Sequence, residues 1–182
     1  MKTMREMYQT EIPAALTAEF KYKNPMELPC LNKIVVNVGA GRAKEVSGLM
    51  PEVEKTLRTI TGQKPVVTKA KRALAAFKIR AGQPVGAKVT LRGKRMFDFL
   101  ERLISVTLPR IRDFRGLALS TVDEHGNFNL GLRDQTIFPE IAYEDTGLIH
   151  GLEVSVVTTA KSKAEALSMF KLLGFPFKKE EI

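Results

Sequence analysis

The sequence predicts an α+β domain: an antiparallel or mixed sheet with helices packed on one face and the other face open. Three observations carry this reading. Several strand-length segments alternate apolar with polar residues, the period of a half-buried strand. Segments of helical spacing, bounded by capping and stop residues, lie between them. No internal repeat or low-complexity linker interrupts the chain, and 182 residues with 44% hydrophobic content suit one domain over residues 1–182.

The elements follow in order. Residues 4–20 have mixed helical periodicity, and Pro13 is expected to start or restart a helix there. Asn24-Pro25 and Pro29 mark a loop. Residues 32–38 form a strand with Ile34, Val36 and Val38 on one face and Lys33, Val35 and Asn37 on the other. A helix over 47–60 carries the stripe Val53, Leu57 and Ile60, accepts Pro51 in its first turn, and stops at Gly62. Residues 65–70 make a short strand, and 71–84 a basic loop with a weak helical pattern. Residues 85–92 alternate Ala87, Val89 and Leu91 against Lys88, Thr90 and Arg92. An apolar helix over 94–108 is ended by Pro109. After a turn at 123–127, residues 128–133 alternate Phe128, Leu130 and Leu132 against Asn129, Gly131 and Arg133. Residues 151–158 place Leu152, Val154 and Val156 opposite Glu153 and Ser155. Ser162 with Glu165 reads as a capping box opening a helix to Leu173, closed by Gly174.

Charge is distributed unevenly along this pattern. Of the formal net charge of +9, residues 65–115 hold +10, from 13 basic and 3 acidic groups, while residues 116–182 hold −4. Between Glu54 and Asp98 there are 12 Lys/Arg and no acid, which self-repels unless a polyanion neutralises it. Nucleic acid fits, through phosphate contacts and counterion release. A membrane-surface helix does not, because these charges sit in strand-like and loop-like sequence. No apolar run approaches the ~18 residues of a membrane span, and the start MKTMREMYQTEIP has no signal-peptide core, so the expectation is a soluble, cytoplasmic chain.

Enzyme readings fail one at a time. IVVNVGAG at 34–41 looks like a dinucleotide strand and turn, but Lys44 stands where a third small residue is needed. Gly39 and Gly41 are instead expected to serve a tight turn needing positive φ. GQPVGAK at 82–88 has the wrong glycine spacing for a phosphate loop, and a strand follows it. The lone cysteine, Cys30, is expected to be a small packed hydrophobe, and it excludes a disulfide framework. His125 and His150, 25 apart, make no zinc site and read as exposed turn residues. The pairs Asp123/Glu124 and Glu144/Asp145 read as solvated surface, so no metal, cofactor or catalytic residue is expected.

At 57–73, LRTITGQKPVVTKAKRA resembles the signature of the universal large-subunit ribosomal protein family that carries 5S rRNA, the fifth in large-subunit numbering. The resemblance continues through FKIRAGQPVGAKVTLRGKRMFDFLERL at 77–103 and LPRIRDFRGL at 108–117. It resumes in GNFNLGLRDQTIFPEI at 126–141, TTAKSKAEAL at 158–167 and GFPF at 174–177, and its flavour is bacterial. It implies a structural constituent of the large ribosomal subunit that anchors 5S rRNA in the central protuberance. The implied partners are 5S rRNA, 23S rRNA, P-site tRNA, small-subunit ribosomal protein thirteen across the intersubunit bridge, and other central-protuberance proteins, with no membrane role. The implied sheet is antiparallel with helices on its convex side, and RNA meets the concave side.

The RNA face that the resemblance implies for this chain comprises Lys33, Asn37, Gln63, Lys64, Thr68, Lys69, Lys88, Thr90 and Arg92. Lys and Arg neutralise phosphates, while Asn, Gln and Thr reach phosphate oxygens, 2′-hydroxyls or base edges. Either face of strand 65–70 is compatible with the pattern. The loop at about 72–84 is expected to be mobile in the free protein and to contact tRNA through Arg72, Phe77, Lys78 and Arg80. The protein bridge is assigned to Arg110, Arg112, Glu140, Glu144 and Asp145. A free-standing RNA chaperone and a protein–protein adaptor are the other readings. Retention on large subunits at high salt separates an integral component from both.

Overall fold

The computed structural model describes residues 4–41, 48–141 and 147–178. It is an α+β fold on a five-stranded antiparallel sheet, with strands β1 (Leu31–Gly39), β2 (Val66–Lys69), β3 (Pro84–Leu91), β4 (Phe128–Leu132) and β5 (Leu152–Thr158) in the order β2-β3-β1-β5-β4. Among the described residues four α-helices accompany them: α1 (Met4–Phe20), α2 (Leu49–Thr61), α3 (Gly93–Arg102) and α4 (Lys163–Leu172). The predicted alternation holds. Ile34, Val36 and Val38 are buried on β1, as are Ala87, Val89 and Leu91 on β3 and Leu152, Val154 and Val156 on β5.

The chain divides into two compact units. One comprises residues 1–34, 92–130 and 155–182, the other 35–91 and 131–154. In the first, α1 packs against α3 and α4. Tyr8 meets Phe97 with ring centroids 5.0 Å apart, and the Ser168 hydroxyl donates to Glu19 Oε1 at 2.8 Å. Phe128, Phe170 and Phe175 form a mutually tilted aromatic cluster with centroids 4.9–5.7 Å apart. In the second unit, α2 packs against β3, burying Leu49, Val53, Leu57 and Ile60.

Several local expectations are corrected. α1 runs unbroken through Pro13, because buried Ile12 and Leu16, one turn apart, hold its inner face on both sides of the lost hydrogen bond. The helix expected over 94–108 ends as an α-helix at Arg102. A wider π turn, Leu103–Thr107, follows, in which the Leu108 N–H reaches back five residues to the Leu103 carbonyl. Pro109 has no N–H to offer the preceding turn, and the short 3₁₀ turn Leu108–Arg110 carries the chain past it. Neither Gly39 nor Gly41 adopts a left-handed φ. Gly62 does, at φ 64°, and caps α2 as expected. Cys30 is exposed, not packed. Ser162 caps α4 by accepting from the Glu165 N–H at 3.4 Å, but the Glu165 carboxylate returns to the Lys161 N–H at 3.0 Å, one residue earlier than a capping box requires.

Candidate RNA interface

In the second unit the pairing of β2 fixes which of its residues share a side with Lys88. β2 pairs with β3 so that Val66 lies opposite Lys88, Val67 opposite Ala87 and Thr68 opposite Gly86. Directly opposed residues share a face, so Val66 and Thr68 stand on the Lys88 side and Val67 on the buried Ala87 side. Lys88 is exposed and Thr90 half-buried. The register shifts between Thr68 and Lys69, and Lys69 is opposite Pro84. Gly86 makes the close approach possible: a Cβ there would lie 2.5 Å from the Val38 carbonyl oxygen and 3.2 Å from Thr68 Oγ1.

Gln63 borders the same strand. Its side-chain amide donates to the Thr90 carbonyl at 3.4 Å, and its backbone N–H donates to Thr61 Oγ1 at 3.3 Å. The left-handed Gly62 turns the chain out of α2 and delivers Gln63 there. Lys64 and Lys69 are exposed, and Asn37 is half-buried on the polar side of β1. The remaining two candidates, half-buried Lys33 and exposed Arg92, belong to the other unit.

The basic loop is a folded hairpin extension. The Ala70 N–H donates to the Gln83 carbonyl at 2.8 Å and the Gly82 N–H to the Ala70 carbonyl at 2.9 Å, closing its base. Leu74 bridges Ile79 above, and the Gln83 side chain accepts from the Arg80 N–H at 3.1 Å. Arg72, Phe77, Lys78 and Arg80 are all exposed, Phe77 by 64%. Lys78, Arg80, Ala81 and Gln83 line an open hollow of about 410 Å³. The exposed Leu74 and Val66 carry no signal in the sequence. Leu74 has no alternation to mark it, and Val66 reads as a core residue until the register is known.

Of the bridge candidates, Arg110 and Arg112 are exposed and Glu140 is half-buried, while Glu144 and Asp145 lie outside the described residues. Here the sequence reading missed a residue. Gln135 is fully buried; its amide donates to the Leu148 carbonyl at 2.8 Å, and its Oε1 accepts from the His150 N–H at 2.7 Å. Asp134 caps the short 3₁₀ turn Gln135–Ile137 by accepting the Thr136 N–H at 2.8 Å, and nothing in that local pattern marks the glutamine as buried. His150 is also corrected. Its Nδ1 lies 3.4 Å from the Gly151 carbonyl and Nε2 is enclosed. Burial lowers its pKa below 6.5, opposed by the Gly151 carbonyl and by the Glu52 and Asp134 carboxylates. His125, by contrast, is exposed in its turn as expected.

The family model described as "Ribosomal protein L5" matches residues 24–80, and the model for the C-terminus of the same ribosomal family matches residues 84–177. The chain belongs to the ribosomal protein L5 family. It is 54% identical over 175 residues to the large ribosomal subunit protein uL5 of Chloroflexus aurantiacus, covering 96% of this chain and 97% of that one. To the uL5 protein of Desulforapulum autotrophicum it is 51% identical over 178 residues, covering 98% and 99%. To that of a Thermoanaerobacter species it is 47% identical over 179 residues, covering 98% and 100%. Membership makes the chain a structural constituent of the large subunit, at work in the cytoplasmic ribosome and not an enzyme. Among the described residues, no helix is long and apolar enough to cross a membrane.

Proposed function

We propose that this large-subunit protein binds 5S rRNA through the polar side of β3 and the residues around it, anchoring that RNA in the central protuberance. The observation that carries the reading is the β2–β3 register, which puts Thr68 on the Lys88 side and gives the short strand a definite polar side to offer RNA. Lys88, Lys64 and Lys69 supply phosphate contacts, with Arg92 and Lys33 as further cations. Thr68, Thr90, Asn37 and Gln63 supply hydroxyl and amide groups for 2′-hydroxyls and base edges. Gln63 is held beside Thr90 in advance, which lowers the entropy lost on binding. Contacts with 23S rRNA and neighbouring central-protuberance proteins belong to the same role.

The hairpin at 72–84 contacts P-site tRNA in this reading, moving in the free protein and settling on the ribosome. Phe77 offers a ring for stacking, and Arg72, Lys78 and Arg80 offer charge. The acidic residues Glu140, Glu144 and Asp145 meet small-subunit ribosomal protein thirteen, a basic partner, by complementary charge. The deciding experiment is salt-dependent binding of 5S rRNA to the Lys88→Ala/Arg92→Ala variant. Weaker binding, with the log–log salt slope shallower by roughly 0.7–0.9 per lost phosphate contact, supports the assignment. Unchanged affinity and slope in a folded variant place the 5S site on another face.

A further inference from the structure

We infer that the turn at 110–115, together with Lys178, is a separate contact for RNA phosphates. Arg110, Arg112, Arg115 and Lys178 are all exposed. They stand on a fixed base. Leu108 is completely buried, the Ile111 N–H donates to the Leu108 carbonyl at 3.1 Å, and the Phe114 N–H donates to the Ile111 carbonyl at 3.3 Å. Asp113 takes φ 56°, reversing the chain between Arg112 and Arg115. Gly116, at φ 95°, then lays the chain against the segment before Lys178. A Cβ at Gly116 would meet the Lys178 backbone nitrogen at 3.0 Å and its Cγ at 3.1 Å. The Leu117 N–H donates to the Pro176 carbonyl at 2.8 Å, and the Lys178 N–H to the Leu117 carbonyl at 2.9 Å. Two distant stretches of chain, 110–117 and 174–178, thus meet at Leu117, and between them they carry four exposed cations with Asp113 the only acid in either stretch.

The sign of this cluster argues for RNA. The family resemblance groups Arg110 and Arg112 with a bridge to a basic protein, yet cations add nothing favourable against a basic partner. Guanidinium groups fit phosphate oxygens in pairs, and three of them around one reversed turn can follow a backbone. The centre of a protein interface would want an exposed aromatic or large apolar anchor. None of the strongly exposed large apolar side chains lies within 110–116; Ile111 and Phe114 are half-buried. The inference rests on membership of the large subunit, where structural RNA is the abundant polyanion, and not on which face holds 5S rRNA. The turn and Lys178 both belong to the unit of residues 1–34, 92–130 and 155–182, whereas most of the proposed 5S residues belong to the other.

The test compares the full chain with two charge-removal variants, R110Q/R112Q/R115Q and K88Q/R92Q, in salt titrations against 5S rRNA, large-subunit rRNA and polyglutamate. Thermal unfolding checks that each variant is folded, and K178Q alone serves if the triple variant is not. Loss of roughly tenfold or more in affinity of the triple variant for at least one RNA is expected. Its log–log slope should be shallower by roughly 0.7–0.9 per lost contact, with a proportionate smaller change for K178Q. Unchanged affinity and slope for both RNAs overturn the inference. So does a loss confined to polyglutamate, which identifies an acidic protein as the partner. A deficit in the triple variant with none in K88Q/R92Q overturns the proposed 5S face and leaves this contact standing.

Discussion

Gln135 and His150 are joined by a 2.7 Å hydrogen bond from the His150 backbone N–H to the buried Gln135 side-chain oxygen, across 15 residues of chain. The same amide holds the Leu148 carbonyl at 2.8 Å, so one side chain satisfies a donor and an acceptor on the segment that leads into β5. Replacing Gln135 by Leu keeps the volume and leaves both backbone groups unpaired. A loss of about 2–4 kcal/mol in unfolding free energy is expected. Chemical denaturation measures it, and a change under about 0.5 kcal/mol would show that water replaces the amide without cost.

His150 makes that region sensitive to acid. Its folded-state pKa is lowered by burial, so the unfolded chain takes up a proton more readily than the native one. Its contribution to stability is therefore present above the ordinary value of 6.5 and is lost as pH falls below it. With Nδ1–H given to the Gly151 carbonyl, a second proton would enter the enclosed Nε2 side. Denaturation midpoints measured across this range should fall more steeply with acid in the native chain than in His150→Asn; parallel curves would dismiss the histidine as the source.

Gly86 should tolerate no side chain. Its φ is not left-handed, so the obstacle is the Val38 carbonyl oxygen, backbone that cannot swing aside. Gly86→Ala is expected to cost about 1–3 kcal/mol and to shift β3 against its neighbour. If Gly86→Ala binds 5S rRNA normally and unfolds at the native midpoint, the strands have more slack than the spacing allows.

Tyr8 anchors the start of β1. Its hydroxyl accepts the Leu31 N–H at 2.8 Å, and burial pushes its pKa up to about 12. Tyr8→Phe keeps the contact with Phe97 and removes only the acceptor. A loss of about 1–2 kcal/mol is expected, along with faster amide exchange at Leu31. Slow exchange in the variant would mean another acceptor had been found.

Shortening the hairpin at 72–84 should spare 5S binding and weaken P-site tRNA on assembled ribosomes. Filter binding of both RNAs to the same variant reads the difference. Equal loss of both activities would assign the hairpin to the 5S site.

The sheet is legible in the sequence because burial enforces a period of two. Ile34, Val36 and Val38 could not face water together, nor could Ala87, Val89 and Leu91. The placement of Thr68 is not legible, because a four-residue strand with two valines in succession fits either orientation, and only pairing with β3 decides it. Gln135 is invisible for a related reason: its partners lie 13 and 15 residues away and are backbone groups, which leave no mark in composition. His150 and Cys30 mislead because the exposure of a residue beside a strand end depends on what the neighbouring chain covers. The π turn before Pro109 escapes because apolar spacing over 96–104 is the same whether the following turn is tight or wide.

β2 lies at the edge of the sheet, four residues long, with a register shift at Thr68/Lys69 and exposed Lys64 and Lys69 at its flanks. Before assembly, a ribosomal protein must wait for its RNA at whatever concentration synthesis outruns it. During that wait Val66, 62% exposed on an unpaired edge, would invite a second molecule to add its own strand. A short, irregular and positively charged edge makes a poor template for such stacking. The same lysines that we propose for phosphate contact would thus also oppose aggregation of the unassembled pool.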